Sequence, residues 1–310
     1  MTPPAATALT LSPILLGTLV TSAAVVAQRQ LASRSRGLPA SPLRLGYAGI
    51  GLLLLAVAFV SPLATVAAHY LLAAHLVQVT MVMGFAPPLL LLALPPRGDQ
   101  PRLPAWIRRV GTGLVYPGVA IVLVNLVFFG WHAPVIYQAC LDHEELYSVQ
   151  QASLLGVSLI FWWPIVAPGG SGRSSMTSLM KLGYILLATI PQTFAGLVFA
   201  LAHHPFYAGY AKAPRALGMD PMTDQQVAGA CMALISKLAL FAAFSVVFWH
   251  LLDPHGADGD TGDDGGPPDD HDDDAPQPVR PRAPAWLAML ERGPVIDEPA
   301  IARRDRVLTP

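Results

Sequence analysis

Seven long apolar stretches divide this chain, at roughly residues 11–27, 45–67, 69–94, 114–131, 147–167, 179–201 and 226–252. Each can cross about 30 Å of hydrocarbon as a helix. In lipid, every backbone N–H and C=O needs a partner inside the protein, so isolated apolar segments of this length become helices. Composition argues against a soluble core: 53% of residues are hydrophobic, 13% are charged and mean hydropathy is +0.49. No Lys or Arg precedes the first stretch, so it reads as a true span and not as a signal peptide. Two cysteines, Cys140 and Cys231, with no CxxC, exclude a disulfide framework. The expected fold is all-α and polytopic: a seven-transmembrane-helix bundle over residues 1–252 and a cytoplasmic tail over 253–310. The bilayer is an expected partner and nucleic acid is not.

The loops carry an orientation signal. Arg29, Arg34, Arg36 and Arg44 follow the first span, and Arg97, Arg102, Arg108 and Arg109 follow the third. Arg173 and Lys181 mark the loop after the fifth. The alternate loops have no charge (61–68), only acid (Asp142, Glu144, Glu145) or a balance (Lys212 and Arg215 against Asp220 and Asp224). Basic residues stay on the cytoplasmic side, which places the amino terminus outside and the carboxyl terminus inside a bacterial plasma membrane.

The tail differs from everything before it. Ten of the 20 acidic residues lie between Asp253 and Asp274, among glycines and prolines. Such a segment buries too little apolar surface to offset its chain entropy, so disorder is expected. Arg303, Arg304 and Arg306 near the end suit anionic lipid.

Polar residues inside the spans are costly and mark candidate sites. On the predicted topology, His69, His75, His132, His143, His203 and His204 all fall in the outer half or the outer loops. Cys140, Cys231 and Met232 lie there too. Imidazole with soft sulfur suits copper, and haem iron also takes His or Met. His75 is about 10 Å along its helix at 1.5 Å per residue, and Gln78 shares its inward face. His143, Tyr147, Gln150 and Gln151 follow an i, i+4, i+7, i+8 pattern and predict a second polar face. Pro87 and Pro88 are expected to end or kink the third span, and Met81 and Met83 to pack. Lys237, deep in the last span, costs about 2.5–3.5 kcal/mol on insertion scales. It faces a hydrated crevice, carbonyls freed by Pro191, or a carboxylate from another molecule.

Three segments, in this order, resemble the multi-spanning CtaG-type cytochrome c oxidase assembly factors: "AHLVQVTMVMGFAPPLLLL", "GWHAPVIYQACLDHEELYSVQQASLLGVSLIFWWPIV" and "DQQVAGACM". The resemblance covers about residues 45–252. It implies a non-enzymatic factor that helps an aa3-like haem–copper oxidase assemble, with oxidase subunits as partners and copper as the metal handled. Carried over by position, it implies metal ligation by His75, His132 and Met232, with Gln78 as a candidate cofactor-binding residue; His143 joins the metal candidates, and Lys237 the cofactor-binding ones, on the reading of the residues alone. The family pattern His-x-x-Gln-His has Val79 at its second histidine. Its His-x-x-Glu-His pattern has Tyr147, Gln150 and Gln151. Either the site is rebuilt from His75, His132, His143 and nearby sulfur, or this chain has given up metal. A copper or small-solute transporter and a haem-binding redox protein are the alternatives; no internal repeat supports the transporter.

Overall fold

The computed structural model describes residues 4–35, 37, 41–95, 104–166, 176–215 and 218–252. The acidic and basic tail lies outside them. The described residues are helical, without strands: α1 (Pro13–Arg34), α2 (Pro42–Val60), α3 (Pro62–His69), α4 (Leu72–Thr80), a π-helical turn (Met81–Phe85), α5 (Ala86–Leu92), α6 (Ala105–Leu114), α7 (Pro117–His132), α8 (Pro134–Asp142), α9 (Glu144–Val166), α10 (Ser178–Leu201), α11 (Ala208–Lys212) and α12 (Pro221–Leu252).

Among the described residues, six helices are long and apolar enough to cross a membrane: α1, α2, the continuous 72–92 helix, α9, α10 and α12. The bent pair α7 and α8, which meet at 65° around Ala133 and Pro134, makes a seventh when the two are counted as one span. The second span stops earlier than its hydropathy suggests. Ser61 turns extended before Pro62, its hydroxyl accepts from Leu63 N, and α3 starts afresh.

The helix over 72–92 is the centre of the bundle, with 61% of its apolar window buried against 17% for α1. Of the two outcomes expected of Pro87 and Pro88, an end or a kink, the end does not occur. A proline cannot bond the carbonyl four residues back and pushes against it. Here the turn just before the prolines widens to π geometry, and Ala86 N bonds Met81 O, five residues back. The carbonyl that Pro87 leaves unserved, that of Met83, accepts from Trp162 Nε1 at 2.9 Å. The break is absorbed by a wide turn and a tryptophan from α9. Trp162→Phe should therefore cost about 1 kcal/mol, typical of an interhelical hydrogen bond in membranes. The melting temperature in detergent measures this, with Trp106→Phe, at an exposed position, as the silent control.

α10 and α12 pack along their length at close range. A Cβ added to Gly196 would lie 2.8 Å from the Gly229 carbonyl oxygen, and one on Gly229 would lie 2.5 Å from that of Gly196. Ala200 and Ala233, four residues on, keep the seam small. Two small-x-x-x-small faces thus let the backbones touch, where lipid offers no hydrophobic drive for association.

Candidate functional site

His75 stands one turn into α4. Leu71 before that helix is extended and has no capping side chain. The cap comes from α12. Asp224 Oδ2 accepts from Leu72 N at 2.7 Å and Oδ1 from Ala73 N at 2.9 Å. A carboxylate on the first N–H groups also meets the positive end of the helix dipole. Gln225 clamps a second segment: its Oε1 accepts from Phe206 N at 2.8 Å and its Nε2 donates to His204 O at 3.2 Å. The next residue along, Tyr207, donates its hydroxyl to the His132 carbonyl at 2.8 Å. Burial holds the Tyr207 phenol well above its usual range, so it stays a neutral donor. One turn of α12 therefore sets His75 through the start of α4 and His132 through Tyr207.

The two histidines meet. His75 Nε2 and His132 Nε2 are 3.3 Å apart, and both residues are buried. Their other nitrogens fix the tautomers. His132 Nδ1 is 2.7 Å from the Phe128 carbonyl, which can only accept, so the proton sits on Nδ1. For His75 the constraint runs through three residues. Gln78 Nε2 donates to Ala58 O at 2.6 Å, which points its Oε1 the other way. Tyr147 must then donate its hydroxyl proton to that Oε1, at 2.6 Å. With that proton committed, the Tyr147 oxygen accepts from His75 Nδ1 at 2.9 Å. Gln151 Nε2 adds a second donor to Gln78 Oε1 at 3.2 Å. Both neutral imidazoles thus carry Nδ1–H, and two Nε2 lone pairs point at each other across 3.3 Å. Between two neutral rings that contact is repulsive; a proton on one Nε2 turns it into a hydrogen bond, and a metal ion between the nitrogens would bridge them.

Aromatic rings surround the pair. His132 stacks between Phe128 (4.2 Å, 25° between planes) and Tyr137 (5.6 Å, 10°). Tyr137 also lies 4.9 Å from the His75 ring and is fully enclosed. Its hydroxyl donates to Tyr210 at 2.7 Å, and Tyr210 donates onward to Ala67 O. Such rings hold the imidazoles in place and turn π faces toward positive charge.

The remaining candidates are placed as follows. Met232 is buried and lines an apolar cavity of about 510 Å³ together with His132. Gln78 is the hub of the network just described. Tyr147, Gln150 and Gln151 are buried on the inward face of α9, whereas His143 is exposed between α8 and α9 and does not join the pair. Lys237 Nζ donates to Gln192 Oε1 at 3.3 Å, next to Pro191, and ties α12 to α10. Cys140 and Cys231 are free thiols, the first of them buried. Sequence reasoning missed Asp224 as a cap and Tyr137 as the ring that lies against both histidines. Tyr137 sits five residues past His132, across a proline bend that periodicity does not follow.

Among the described residues, no group of three or more His, Cys, Asp or Glu side chains converges. The donor set is two imidazole nitrogens. That is too few for zinc, which takes four ligands, and too nitrogenous for hard cations. Two lone pairs in opposition fit a monovalent, low-coordinate ion such as Cu(I). Two imidazole–metal bonds end to end span about 4 Å, so His75 and His132 would have to part beyond their 3.3 Å separation to hold such an ion.

These features define a class: a multi-pass α-helical membrane protein with a buried histidine centre held by its last helix. Residues 23–253 match the family described as cytochrome c oxidase caa3 assembly factor (Caa3_CtaG), and the chain belongs to that family. The match confirms the resemblance read from the motifs and extends it back into α1. No curated protein and no solved structure matches the chain.

Proposed function

We propose that this chain is a non-enzymatic assembly factor for an aa3-like haem–copper oxidase and carries one Cu(I) ion between His75 and His132. The observation behind this reading is the opposition of two Nε2 lone pairs at 3.3 Å, each committed by a bond on the other side of its ring. The family membership supplies the oxidase as client. The residues around the pair exclude water and fix the rings, so the ion is held without exchange with solvent. Lys237, on the same helix as Met232, is a candidate contact for a carboxylate of the client or a haem propionate.

The arginine-rich loops put the histidine end of the bundle on the outer side of a bacterial plasma membrane. Reporter fusions at Asp142 and Asp258 should then read periplasmic and cytoplasmic respectively; the same side for both would reverse this.

Copper binding is measured on the purified protein loaded with Cu(I) under reductant. Wild type should hold about one ion per chain, as two soft-metal nitrogens permit. His75→Ala and His132→Ala should each lose it, and His143→Ala should retain it. Wild type without copper would leave the chain a protein-binding factor only.

A further inference from the structure

The helix α6 (Ala105–Leu114) stands outside the packed bundle: Trp106 and residues 109–113 are exposed, and Leu114 is half-buried. Its 10 residues rise about 15 Å, too little to cross the hydrocarbon. Nor can its end leave the membrane surface. Three residue steps from Leu114 to Pro117, where α7 begins, reach at most about 11 Å. The chain folds back even within that reach, since Val115 N donates to Gly111 O and Tyr116 N to Gly113 O, both at 3.2 Å. Spacing sorts α6 into two sides. Trp106, Val110 and Leu114 stand four residues apart and share one side. Positions 108, 109 and 112 fall on the other, where the sequence has Arg, Arg and Thr. Trp106 is 68% exposed and Val110 55%; Tyr116, at the entry to α7, is 63% exposed. No Asp or Glu occurs between Asp99 and Asp142, so the charge of this stretch is purely basic.

We infer that α6 lies in the plane of the membrane surface and binds anionic lipid, its Trp106–Val110–Leu114 side sunk among the acyl chains and its arginine side on the headgroups. Three features commit this helix to that occupant. The two-residue link to α7 holds it at the level where a span enters the bilayer. Tryptophan and tyrosine, the residues enriched where membrane meets water, stand at Trp106 and Tyr116, one near each end of the helix and its link. A short helix with an apolar side and an unopposed basic side is the pattern that settles at an anionic interface, where burial and charge attraction add. Anchoring α6 in this way also fixes the depth at which α7 enters, and α7 carries His132 at its far end.

The test is amide hydrogen exchange of the full chain in lipid nanodiscs, read by mass spectrometry. Wild type is compared in phosphatidylcholine alone and in an equal mixture with phosphatidylglycerol. The amides of 105–114 should exchange several-fold more slowly in the mixture, whereas those of α11 (Ala208–Lys212), another short helix between spans, should not change. Joint replacement Arg108→Gln and Arg109→Gln should erase the difference between the two lipids. Val110→Glu should speed exchange in both, and the melting temperatures of these variants in detergent should match wild type. Equal exchange of wild-type α6 in the two lipids, or a lipid difference that survives the double replacement, would overturn the inference. Slowing by added caa3 oxidase in phosphatidylcholine, with none from phosphatidylglycerol, would give this face to a protein and overturn it as well.

Discussion

Asp224→Ala should give a protein that inserts in the membrane but loses about 3–5 kcal/mol of stability, since two buried charge-assisted hydrogen bonds disappear together. Leu72 N and Ala73 N would be left buried at the start of α4 with no local substitute, because Leu71 offers none. Asp224→Asn keeps one acceptor without the charge and should fall between wild type and alanine. Glutamate is too long for the site and should not restore it. Thermal melts of the purified protein order the series. The measurement that separates positioning from bulk stability is Cu(I) content at a temperature where each variant is still folded. It should decline in the same order, because His75 lies one turn beyond the capped residues. Equal copper in folded Asp224→Ala would restrict Asp224 to stability alone.

Gly229→Val is the second large effect. The new Cβ would meet the Gly196 carbonyl oxygen at 2.5 Å and Ala200 N at 2.6 Å. Both are backbone atoms of α10, and no flexible side chain can yield. The helices must separate, at a cost of about 3 kcal/mol, the upper part of the overpacking range. For a domain of this size, that lowers the melting temperature by roughly 6–12 °C. Gly183→Ala, also on α10 but with nothing within 4 Å of its added Cβ, should be neutral. A neutral Gly229→Val would mean that α10 and α12 do not rely on backbone contact.

The long apolar helices were legible because hydropathy over twenty residues is a property of the segment itself. The effect of Pro87 and Pro88 was not, since it depends on Trp162, a donor 79 residues away in sequence from the carbonyl it serves. His75 was recognisable as a candidate because an imidazole in hydrocarbon needs a reason, and His132 through the family motif it matches. Their opposition was hidden, as it requires α4 and α7 to face each other. His143 carried the right periodicity with Tyr147 but precedes the first turn of α9, where a helical face does not yet exist. Asp224 read as a loop charge and as part of the segment that carries the family resemblance, without a structural role. Its role lies across 152 positions of chain, beyond any local rule.

That separation has a consequence for the timing of synthesis. Chains leave the ribosome at about 5–20 residues per second. The 152 residues between Leu72 and Asp224 therefore correspond to a delay of roughly 8–30 seconds. During it, α4 is already made but has neither its cap nor its fixed register. His75 and His132 cannot settle into opposition until the last helix arrives and clamps both. A nascent chain that ends before Asp224 thus lacks the clamp on both histidine segments, and the opposed pair coincides with completion of the bundle.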